Sequence, residues 1–411
     1  MSQQETASGA IVVVGGGHAA AALCAGLAAA GQGARVHLVC DEAEVPYQRP
    51  PLSKAFLKNP QEALQPLRAS AWYEQAGITL HRADAAAAID RERRVLRLAS
   101  SREIAYARLV LATGARSRML SSLPAGLDNV LTLRGAANAL HLRGRLEAAR
   151  SVTVLGGGFI GLEIAATVRA LGKHVSVLES LPRLLARSLS SEVAEHVLQA
   201  HRASGIDLRL GVGAVQFAVE GGRLAALVID GRREPVELLI LAVGAVPEQE
   251  LAAAAGLPCD NGVVVDAFMR TADPSILAIG DCTNFPEHGS GRRLRLESVQ
   301  NANDQARTAC ATLLGREEPY HALPWFWSEQ GSMRLQMAGL IPQDGVRCRR
   351  PGTNADSFSV LHYVGVRLVC VESVNAPLDH MAARKLLESG RSPAPALACD
   401  PAVQLKTHLD G

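Results

Sequence analysis

Residues 11–20 read Ile-Val-Val-Val-Gly-Gly-Gly-His-Ala-Ala, an apolar run that passes through three glycines into a helix-forming segment. Residues 152–161 repeat this plan as Val-Thr-Val-Leu-Gly-Gly-Gly-Phe-Ile-Gly. In both stretches glycine permits a tight turn between a buried strand and a helix, and the bare backbone can approach a pyrophosphate at the helix N-terminus. One such loop is a weak signal, but two in one chain predict two dinucleotide-binding units.

An acidic residue follows the second predicted strand of each unit. The strand Arg35–Cys40 ends in Asp41 and Glu42, and the strand Val175–Leu178 ends in Glu179. A carboxylate roughly 20 residues beyond the glycines can accept hydrogen bonds from a ribose hydroxyl. Because an acid at this step repels a 2′-phosphate, Glu179 favours NADH over NADPH.

The composition indicates a globular protein of two or three domains. The chain has 411 residues, of which 48% are hydrophobic, so large cores can form. Lysine and arginine number 42 against 40 acidic residues, and a net charge of +2 argues against a nucleic-acid binder. No apolar run approaches the roughly 18 residues of a membrane-spanning helix.

The cysteines and the N-terminus both point to a cytoplasmic protein. The eight cysteines are scattered and show neither a Cys-x-x-Cys pair nor zinc-ligand spacing, so we expect mostly buried thiols in a reducing compartment. Residues 1–6 lack the basic segment that begins a signal peptide, and the apolar run after them is better explained as a strand.

The last part of the chain has a different pattern from the rest. From about Pro324 short alternating strands appear at Phe358–Tyr363 and Val366–Val371, followed by a helix near Asp379–Glu388. This pattern predicts a separate α+β domain.

Several further segments carry a family resemblance. The most telling is Pro46–Lys54, Pro-Tyr-Gln-Arg-Pro-Pro-Leu-Ser-Lys, and the others are Leu111–Gly114, Ala278–Asp281, Glu297–Ala302 and Trp325–Ser328. Together with the glycine loops they resemble the FAD- and NADH-dependent ferredoxin reductases of bacterial oxygenase systems, the group related to putidaredoxin reductase. The resemblance extends over almost the whole chain.

The resemblance implies a glutathione-reductase-like α/β architecture with two Rossmann-like dinucleotide-binding domains and a C-terminal α+β domain. An FAD domain at residues 1–118 and 248–323 is interrupted by an NAD domain at 119–247. The C-terminal domain at 324–411 covers the flavin.

The resemblance also implies which residues bind FAD. Asp281 follows a buried strand, where a carboxylate needs a partner, and a hydrogen bond to the ribityl chain of FAD supplies one. Arg118 lies on the adenine side, with Arg116 as the alternative if the alignment is displaced by two residues. Trp327 approaches the flavin ring, whereas Trp325 fits an ordinary core aromatic nearly as well and is not assigned. The full set of implied FAD positions is Gly15, Gly17, Ala20, Asp41, Glu42, Arg49, Lys54, Ala86, Ala112, Arg118, Asp281, Val299 and Trp327.

The implied catalytic pair is Lys54 and Glu163. The lysine is expected near flavin N5, and an ion pair with Glu163 would position the nicotinamide. The alternative for Glu163 is a simple favourable interaction with the dipole of its helix. The implied NAD positions are Gly156, Gly158, Gly161, Glu179 and Gly244.

The activity implied is that of a ferredoxin–NAD⁺ reductase. NADH gives a hydride to flavin N5, and single electrons pass to a small, acidic [2Fe–2S] ferredoxin that feeds a Rieske-type oxygenase or a cytochrome P450. Because an acidic partner needs a basic surface for steering, Arg292, Arg293 and Arg295 are hypothesised to dock the ferredoxin, with a solvated loop as the equal alternative.

Three other activities use the same loops. A disulfide reductase needs a redox dithiol, which the sequence lacks, although Cys40 leaves a single-cysteine variant open. An NADH oxidase also relies on an active cysteine. A redox-sensing interaction protein like apoptosis-inducing factor is the third alternative, and the short tail beyond residue 330 favours the reductase over it.

Overall fold

Helices alternate with the strands of two parallel sheets, as the predicted α/β fold class requires, and antiparallel sheets are added to them. The structure is a computed structural model that describes residues 9–288 and 290–409. The prediction that residues 1–6 do not begin a signal peptide concerns residues outside this range. In chain order the strands are β1 Ile11–Val14, β2 Val36–Val39, β3 Thr79–His81, β4 Ala86–Asp90, β5 Val95–Leu98, β6 Glu103–Ala105, β7 Arg108–Leu111, β8 Ala115–Ser117, β9 Val130–Leu131, β10 Ser151–Leu155, β11 His174–Leu178, β12 Asp207–Arg209, β13 Val215–Glu220, β14 Arg223–Ile229, β15 Arg232–Pro235, β16 Leu239–Leu241, β17 Ala245–Pro247, β18 Val263–Val264, β19 Ile276–Ala278, β20 Thr283–Pro286, β21 Arg293–Leu294, β22 Trp325–Gln330, β23 Met333–Gly339, β24 Val346–Pro351, β25 Phe358–Val364 and β26 Arg367–Val374. The α-helices are α1 His18–Ala29, α2 Ala55–Lys58, α3 Ser70–Gln75, α4 Ala136–Ala148, α5 Phe159–Ala170, α6 Ser191–Ala203, α7 Glu250–Ala254, α8 Val299–Leu313, α9 Pro377–Glu388 and α10 Pro395–Ala398.

The described chain forms two compact units. The first comprises residues 9–49, 64–116 and 245–322, apart from residue 289, and the second comprises residues 50–63, 117–244 and 323–409. The predicted C-terminal domain and residues 119–244 of the predicted NAD domain thus fall in one unit, together with the segment 50–63, whereas residues 245–247 fall in the other. The three-domain division made from the sequence stays a prediction.

The first unit is built around a parallel sheet with the strand order β19-β7-β1-β2-β3. Val12 and Val13 are fully buried, and a parallel strand that is buried on both faces has an uninterrupted apolar sequence. Helix α1 packs against α8 where Gly26 meets Cys310: a Cβ on Gly26 would lie 3.0 Å from the cysteine Sγ. A small residue therefore permits this close helix packing.

Besides a small antiparallel sheet of β13, β14 and β15, the second unit contains a parallel sheet and a five-stranded antiparallel sheet. The parallel sheet has the order β12-β11-β10-β16-β9. The antiparallel strands β13, β14 and β15 come between β12 and β16 in the chain. The antiparallel sheet has the order β22-β23-β26-β25-β24 and packs against α9. The strand and helix pattern predicted for the tail is therefore present, with bounds that differ by a few residues.

One pair of cysteines is bonded, which the sequence did not predict. Cys348 on β24 and Cys399 after α10 form a disulfide across 51 residues. The other six cysteines are free, and five of them are buried. The expectation of mostly buried thiols is correct for these six residues.

The buried His380 on α9 gives the second unit a pH-dependent stability. Both of its ring nitrogens are buried without a hydrogen-bond partner, and burial lowers the pKa of His380 from 6.5 to about 4, with Arg384 and Arg334 adding to the effect. Since the folded-state pKa lies below that of the unfolded chain, stability is lost as the pH falls from about 6.5 toward 4.

We expect His380→Phe to recover about 2 kcal/mol of the stability lost between pH 7 and pH 5, at 1.36 kcal/mol per pKa unit. Urea unfolding followed by tryptophan fluorescence at the two pH values measures this difference. Burial also lowers the pKa of four other histidines, so part of the pH dependence should remain; these are His37, His81, His196 and His201. The exposed His141 is the control, and an equal gain in His141→Phe would contradict the assignment.

Candidate functional site

In the first glycine loop the fold requires Gly15, whereas Gly17 leaves open space where a side chain would project. Gly15 has a φ of +123°, and a Cβ there would lie 2.2 Å from the Ala112 carbonyl oxygen, so no other residue fits. Gly17 is the N-cap of α1, and a Cβ there would meet no atom within 4 Å. The N-terminal amides of α1 receive no side-chain cap at this position, so the loop fits a pyrophosphate, which such amides bind.

Four of the predicted FAD residues lie at one edge of the first unit's parallel sheet. Gly15, Asp41, Ala112 and Asp281 each follow the carboxyl end of a strand, namely β1, β2, β7 and β19. Ligands bind at this edge in open α/β sheets. The structure therefore brings these residues together, while their contacts with FAD stay a prediction.

The remaining predicted FAD residues of the first unit have different local settings. Ala20 is buried in the first turn of α1, Ala86 begins β4 and Val299 begins α8. Glu42 accepts hydrogen bonds from Tyr47 Oη at 2.5 Å and from Arg49 at 2.6 Å. The Glu42 carboxylate thus holds the loop that carries Arg49, a contact that the sequence analysis missed.

The three arginines proposed to dock a partner all have partners within the first unit. Arg292 pairs with Glu287 at 2.9 Å and is 63% exposed. Arg293 donates to Asn284 Oδ1 at 2.8 Å and to the Val265 carbonyl oxygen, and Arg295, only 14% exposed, pairs with Glu297. These contacts engage Arg293 and Arg295 within the first unit, whereas the alternative to docking was a solvated loop; docking stays a hypothesis.

The second glycine loop repeats the geometry of the first. Gly156 has a φ of +111°, and its Cβ would lie 2.4 Å from the Ala242 carbonyl oxygen. Gly158, the N-cap of α5, has open space where a Cβ would project, so this loop also fits a pyrophosphate. At Gly161 a Cβ would lie 2.3 Å from the Gly156 carbonyl oxygen, so this glycine lets α5 pack closely on β10.

Glu179 is held against the same loop. Its Oε2 accepts from the Gly157 amide and its Oε1 accepts from the Leu181 amide, both at 2.8 Å. These bonds hold a carboxylate beside the glycines, where the sequence predicted a ribose ligand.

The two arginines considered for the adenine side of FAD lie in different units. Arg118 lies beside Gly244 in the second unit: its amide donates to the Gly244 carbonyl oxygen at 2.9 Å. Arg116 pairs with Glu248 and Glu250 in the first unit, at 3.0 and 2.7 Å. Glu248, which directly follows β17, is therefore an ion-pair partner of Arg116.

Lys54 and Glu163 form the ion pair expected from the sequence. Lys54 Nζ donates to Glu163 Oε2 at 2.7 Å, and Ser53 Oγ donates to the same oxygen at 2.5 Å. Glu163 Oε1 accepts from Ser328 Oγ at 2.7 Å. Glu163 is only 7% exposed, and a buried carboxylate of this kind requires such partners.

The segment that carries Lys54 is bound to the second unit by two side chains. Thr167 on α5 donates to the Ser53 carbonyl oxygen at 2.8 Å. Arg143 on α4 lies 4.4 Å from the Phe56 ring centroid and donates to the Phe56 and Glu62 carbonyl oxygens. The sequence analysis missed both, because the contacts join residues far apart in the chain.

Strand β22 presents different side chains on its two faces. Trp325 and Trp327 lie on one face with ring centroids 5.7 Å apart. Phe326 and Ser328 lie on the other, where Phe326 meets the ring of Phe159 edge-on at 4.4 Å. Trp327 is half-buried, and its approach to a flavin stays a prediction.

Cys40 has the properties of a structural thiol. It is fully buried, and burial together with the neighbouring acids Asp41 and Glu42 raises the pKa of Cys40 to about 12. A thiol must ionise to act as a nucleophile, so this residue is inert at neutral pH. This finding argues against the single-cysteine alternative.

The described part of the chain has neither a membrane-spanning helix nor a metal-binding cluster. Among residues 9–288 and 290–409 no helix is long and apolar enough to cross a membrane. The same residues contain no group of three or more histidine, cysteine, aspartate or glutamate side chains suited to holding a metal ion.

Two family patterns match nearly all of the chain. Residues 9–306 match the pyridine nucleotide-disulphide oxidoreductase family, and residues 325–409 match the reductase C-terminal family. The chain is also 42% identical over 378 residues to rhodocoxin reductase from Rhodococcus erythropolis, covering 92% of this chain and 88% of that protein.

Solved structures give the same result. The chain is similar to the ferredoxin reductase for the CYP199A2 system from Rhodopseudomonas palustris, with a TM-score of 0.93, 42% identity and coverage of 97% of this chain and 99% of that one. It is also similar to a chain of the covalent putidaredoxin reductase–putidaredoxin complex, with a TM-score of 0.93, 35% identity and coverage of 98% of both chains.

Proposed function

Since the chain belongs to the pyridine nucleotide-disulphide oxidoreductase family, we propose that it is an FAD-containing NADH:ferredoxin reductase. The observation that carries this proposal is the pair of open glycine cradles, at Gly17 and Gly158, in a chain whose second unit holds the buried Lys54–Glu163 ion pair. The predicted fold class and family resemblance are confirmed by the comparisons, and the cofactors are FAD and NADH.

The chain's own residues bind and orient the two cofactors. Bound FAD supplies a two-electron acceptor that can release electrons singly, and NADH supplies the hydride. The amides at the N-terminus of α1 hold one pyrophosphate and those of α5 hold the other. Glu163 holds Lys54 in a fixed place, because Ser53 and Ser328 donate to the same carboxylate. No protein nucleophile is needed.

The partner in this proposal is a small [2Fe–2S] ferredoxin. The similar structures include a reductase covalently joined to putidaredoxin and a ferredoxin reductase of a system named after CYP199A2. We therefore assign this chain the same kind of partner, feeding a cytochrome P450 or a Rieske-type oxygenase. Arg292 is 63% exposed, whereas Arg295 is 14% exposed and Arg293 donates to Asn284 and Val265, which leaves Arg292 the strongest candidate of that group.

The proposal places the protein in the cytoplasm. Six of its eight cysteines are free thiols, as is usual in a reducing compartment, although one pair is bonded. Neither alternative activity is favoured: an NADH oxidase would need a reactive thiol, which Cys40 is not, and the relatives found are reductases rather than NADH-responsive interaction proteins.

The test is NADH oxidation by the purified holoprotein with a panel of [2Fe–2S] ferredoxins, followed by cytochrome c reduction. We expect fast cytochrome c reduction that depends on both NADH and a ferredoxin, with slow oxygen consumption when the ferredoxin is omitted. Oxygen consumption that no ferredoxin accelerates would identify an oxidase. Tight NADH binding without turnover on any ferredoxin would identify a sensor.

A further inference from the structure

A chain of buried polar side chains leads away from Glu163 on the side opposite Lys54. Ser328 Oγ lies 2.7 Å from Glu163 Oε1, and Gln330 Nε2 lies 3.1 Å from Ser328 Oγ. Gln330 Oε1 lies 2.7 Å from His201 Nε2. Ser328, Gln330 and His201 are 1%, 3% and 3% exposed, so the protein itself supplies these hydrogen bonds.

The direction of every bond in this chain follows from the carboxylate at its end. An ionised carboxylate only accepts, so the single hydroxyl hydrogen of Ser328 must point to Glu163. The Ser328 oxygen must then accept, which requires the NH₂ group of Gln330 to face it. The Gln330 carbonyl oxygen therefore faces His201, and His201 must donate from Nε2.

The protonation of His201 agrees with this direction. Burial lowers the pKa of His201, while its bond to Gln330 opposes that effect. A neutral imidazole carries one ring hydrogen, and the acceptor opposite Nε2 places that hydrogen on Nε2. The network is thus a one-way series of donors, from His201 through Gln330 and Ser328 to Glu163.

The far end of the series is fixed in the fold. His201 lies in the last turn of α6. The N-terminus of that helix is anchored separately, because the Ser190 amide donates to Glu372 Oε1 at 2.8 Å. Glu372 Oε2 in turn contacts His362 Nε2 at 2.7 Å. Ser328 and Gln330 lie on the same face of β22, where side chains two residues apart must point the same way. Both ends of α6 are therefore joined to the antiparallel sheet.

We propose that Ser328, Gln330 and His201 are positioning residues for hydride transfer, which act by orienting the Glu163 carboxylate that holds Lys54. This inference rests on the proposed reductase function. The reason is geometric: one carboxylate oxygen receives Lys54 and Ser53, and among the described residues only Ser328 holds the other. Without that donor the carboxylate can rotate, and Lys54 follows it.

The first test measures the position of Lys54 without any turnover. The chain has five lysines, and the exposed Lys58 lies one helical turn beyond Lys54 on the same segment, so it serves as an internal reference. Trace acetylation of the holoprotein by acetic anhydride, quantified by peptide mass spectrometry, yields the Lys54:Lys58 labelling ratio. We expect Ser328→Ala, Gln330→Leu and His201→Leu to raise this ratio several-fold.

The second test measures the reaction itself. In anaerobic stopped-flow experiments with NADH, the same three variants should reduce the flavin about tenfold more slowly, a loss of about 1.4 kcal/mol, at an unchanged dissociation constant for NADH. His201→Gln should restore both the rate and the labelling ratio, because a glutamine amide can donate from the position of the histidine Nε2.

A matched control separates positioning from general loss of packing. His362 is also a buried histidine, on the same sheet, and its bond leads to Glu372 rather than to Glu163. His362→Gln keeps an amide donor for Glu372, and with it the anchor of α6, so it should leave the labelling ratio and the rate unchanged even if it lowers the melting temperature.

The outcomes distinguish this inference from the proposed function. An unchanged Lys54:Lys58 ratio in Gln330→Leu and His201→Leu would overturn the positioning role. Failure of His201→Gln to restore that ratio, or an equal effect of His362→Gln, would also overturn it. If the unmodified protein does not transfer a hydride from NADH, the proposed function fails, while the labelling ratio still reports whether the network orients Lys54.

Discussion

Valine in place of Gly17 is expected to abolish FAD binding, whereas valine in place of Gly158 should leave the FAD content full and weaken NADH binding by at least about 100-fold. Both effects follow from the open space beside each glycine, because a Cβ at either position meets no protein atom within 4 Å. The added side chain therefore occupies the space expected for the pyrophosphate rather than the protein core. Losing two charge-assisted bonds to a pyrophosphate costs about 3 kcal/mol, which is about 100-fold in affinity.

The backbone at both positions tolerates a side chain. Gly17 has φ −102° and Gly158 has φ −83°, which any residue adopts. Gly15 and Gly156 differ, because their positive φ values and the carbonyl oxygens within 2.4 Å of a Cβ make any substitution disrupt the fold. Valine at Gly17 or Gly158 therefore tests cofactor binding without testing folding.

The two variants are compared through flavin absorbance after purification and through titration with NADH. Gly144, exposed on α4 with no atom within 4 Å of a Cβ, is the matched control, and Gly144→Val should retain both cofactors. Full FAD content in Gly17→Val, or loss of FAD in Gly158→Val, would reverse the assignment of the two loops.

Glu163→Gln is expected to slow flavin reduction by NADH about 100-fold while NADH binding changes little. The neutral amide removes the counter-charge of Lys54, and its NH₂ group cannot accept from Ser53, Lys54 or Ser328. A displacement of about 1 Å in a reacting arrangement can cost about 10²-fold in rate. The loss should therefore appear in the rate of the hydride step.

Anaerobic stopped-flow absorbance measures that rate across a range of NADH concentrations, which separates the limiting rate from the affinity. Glu195 forms a surface hydrogen bond with Gln199 on α6, so Glu195→Gln makes the same chemical change outside the site and should react normally. A normal limiting rate in Glu163→Gln would show that the ion pair has no part in hydride transfer.

The sequence was most informative where function depends on local backbone. Each glycine loop lies within one strand–turn–helix unit, so the positive φ of Gly15 and Gly156 and the uncapped N-termini of α1 and α5 follow from neighbouring residues. The Lys54–Glu163 contact joins residues 109 positions apart and was reached by family resemblance, not by spacing.

Sequence reasoning failed where a side chain's partner is distant in the chain. Nothing near Ser328 indicates that its hydroxyl binds a carboxylate 165 residues away. Arg293 and Arg295 read as a free basic cluster, but Asn284 and Glu297 engage them. The Cys348–Cys399 bond was missed because cysteine spacing alone does not determine pairing.

The sequence by itself therefore determined the fold class, the two dinucleotide loops and the acids that follow them, because strand, turn and helix preferences act over a few residues. Only the tertiary structure decided which groups hold the Glu163 carboxylate. It also decided at which residue the series of hydrogen-bond donors leading to this carboxylate starts. The physical reason is that a buried charge must be satisfied by donors that reach it in space, and the packing of β22 against α5 and α6 supplies them.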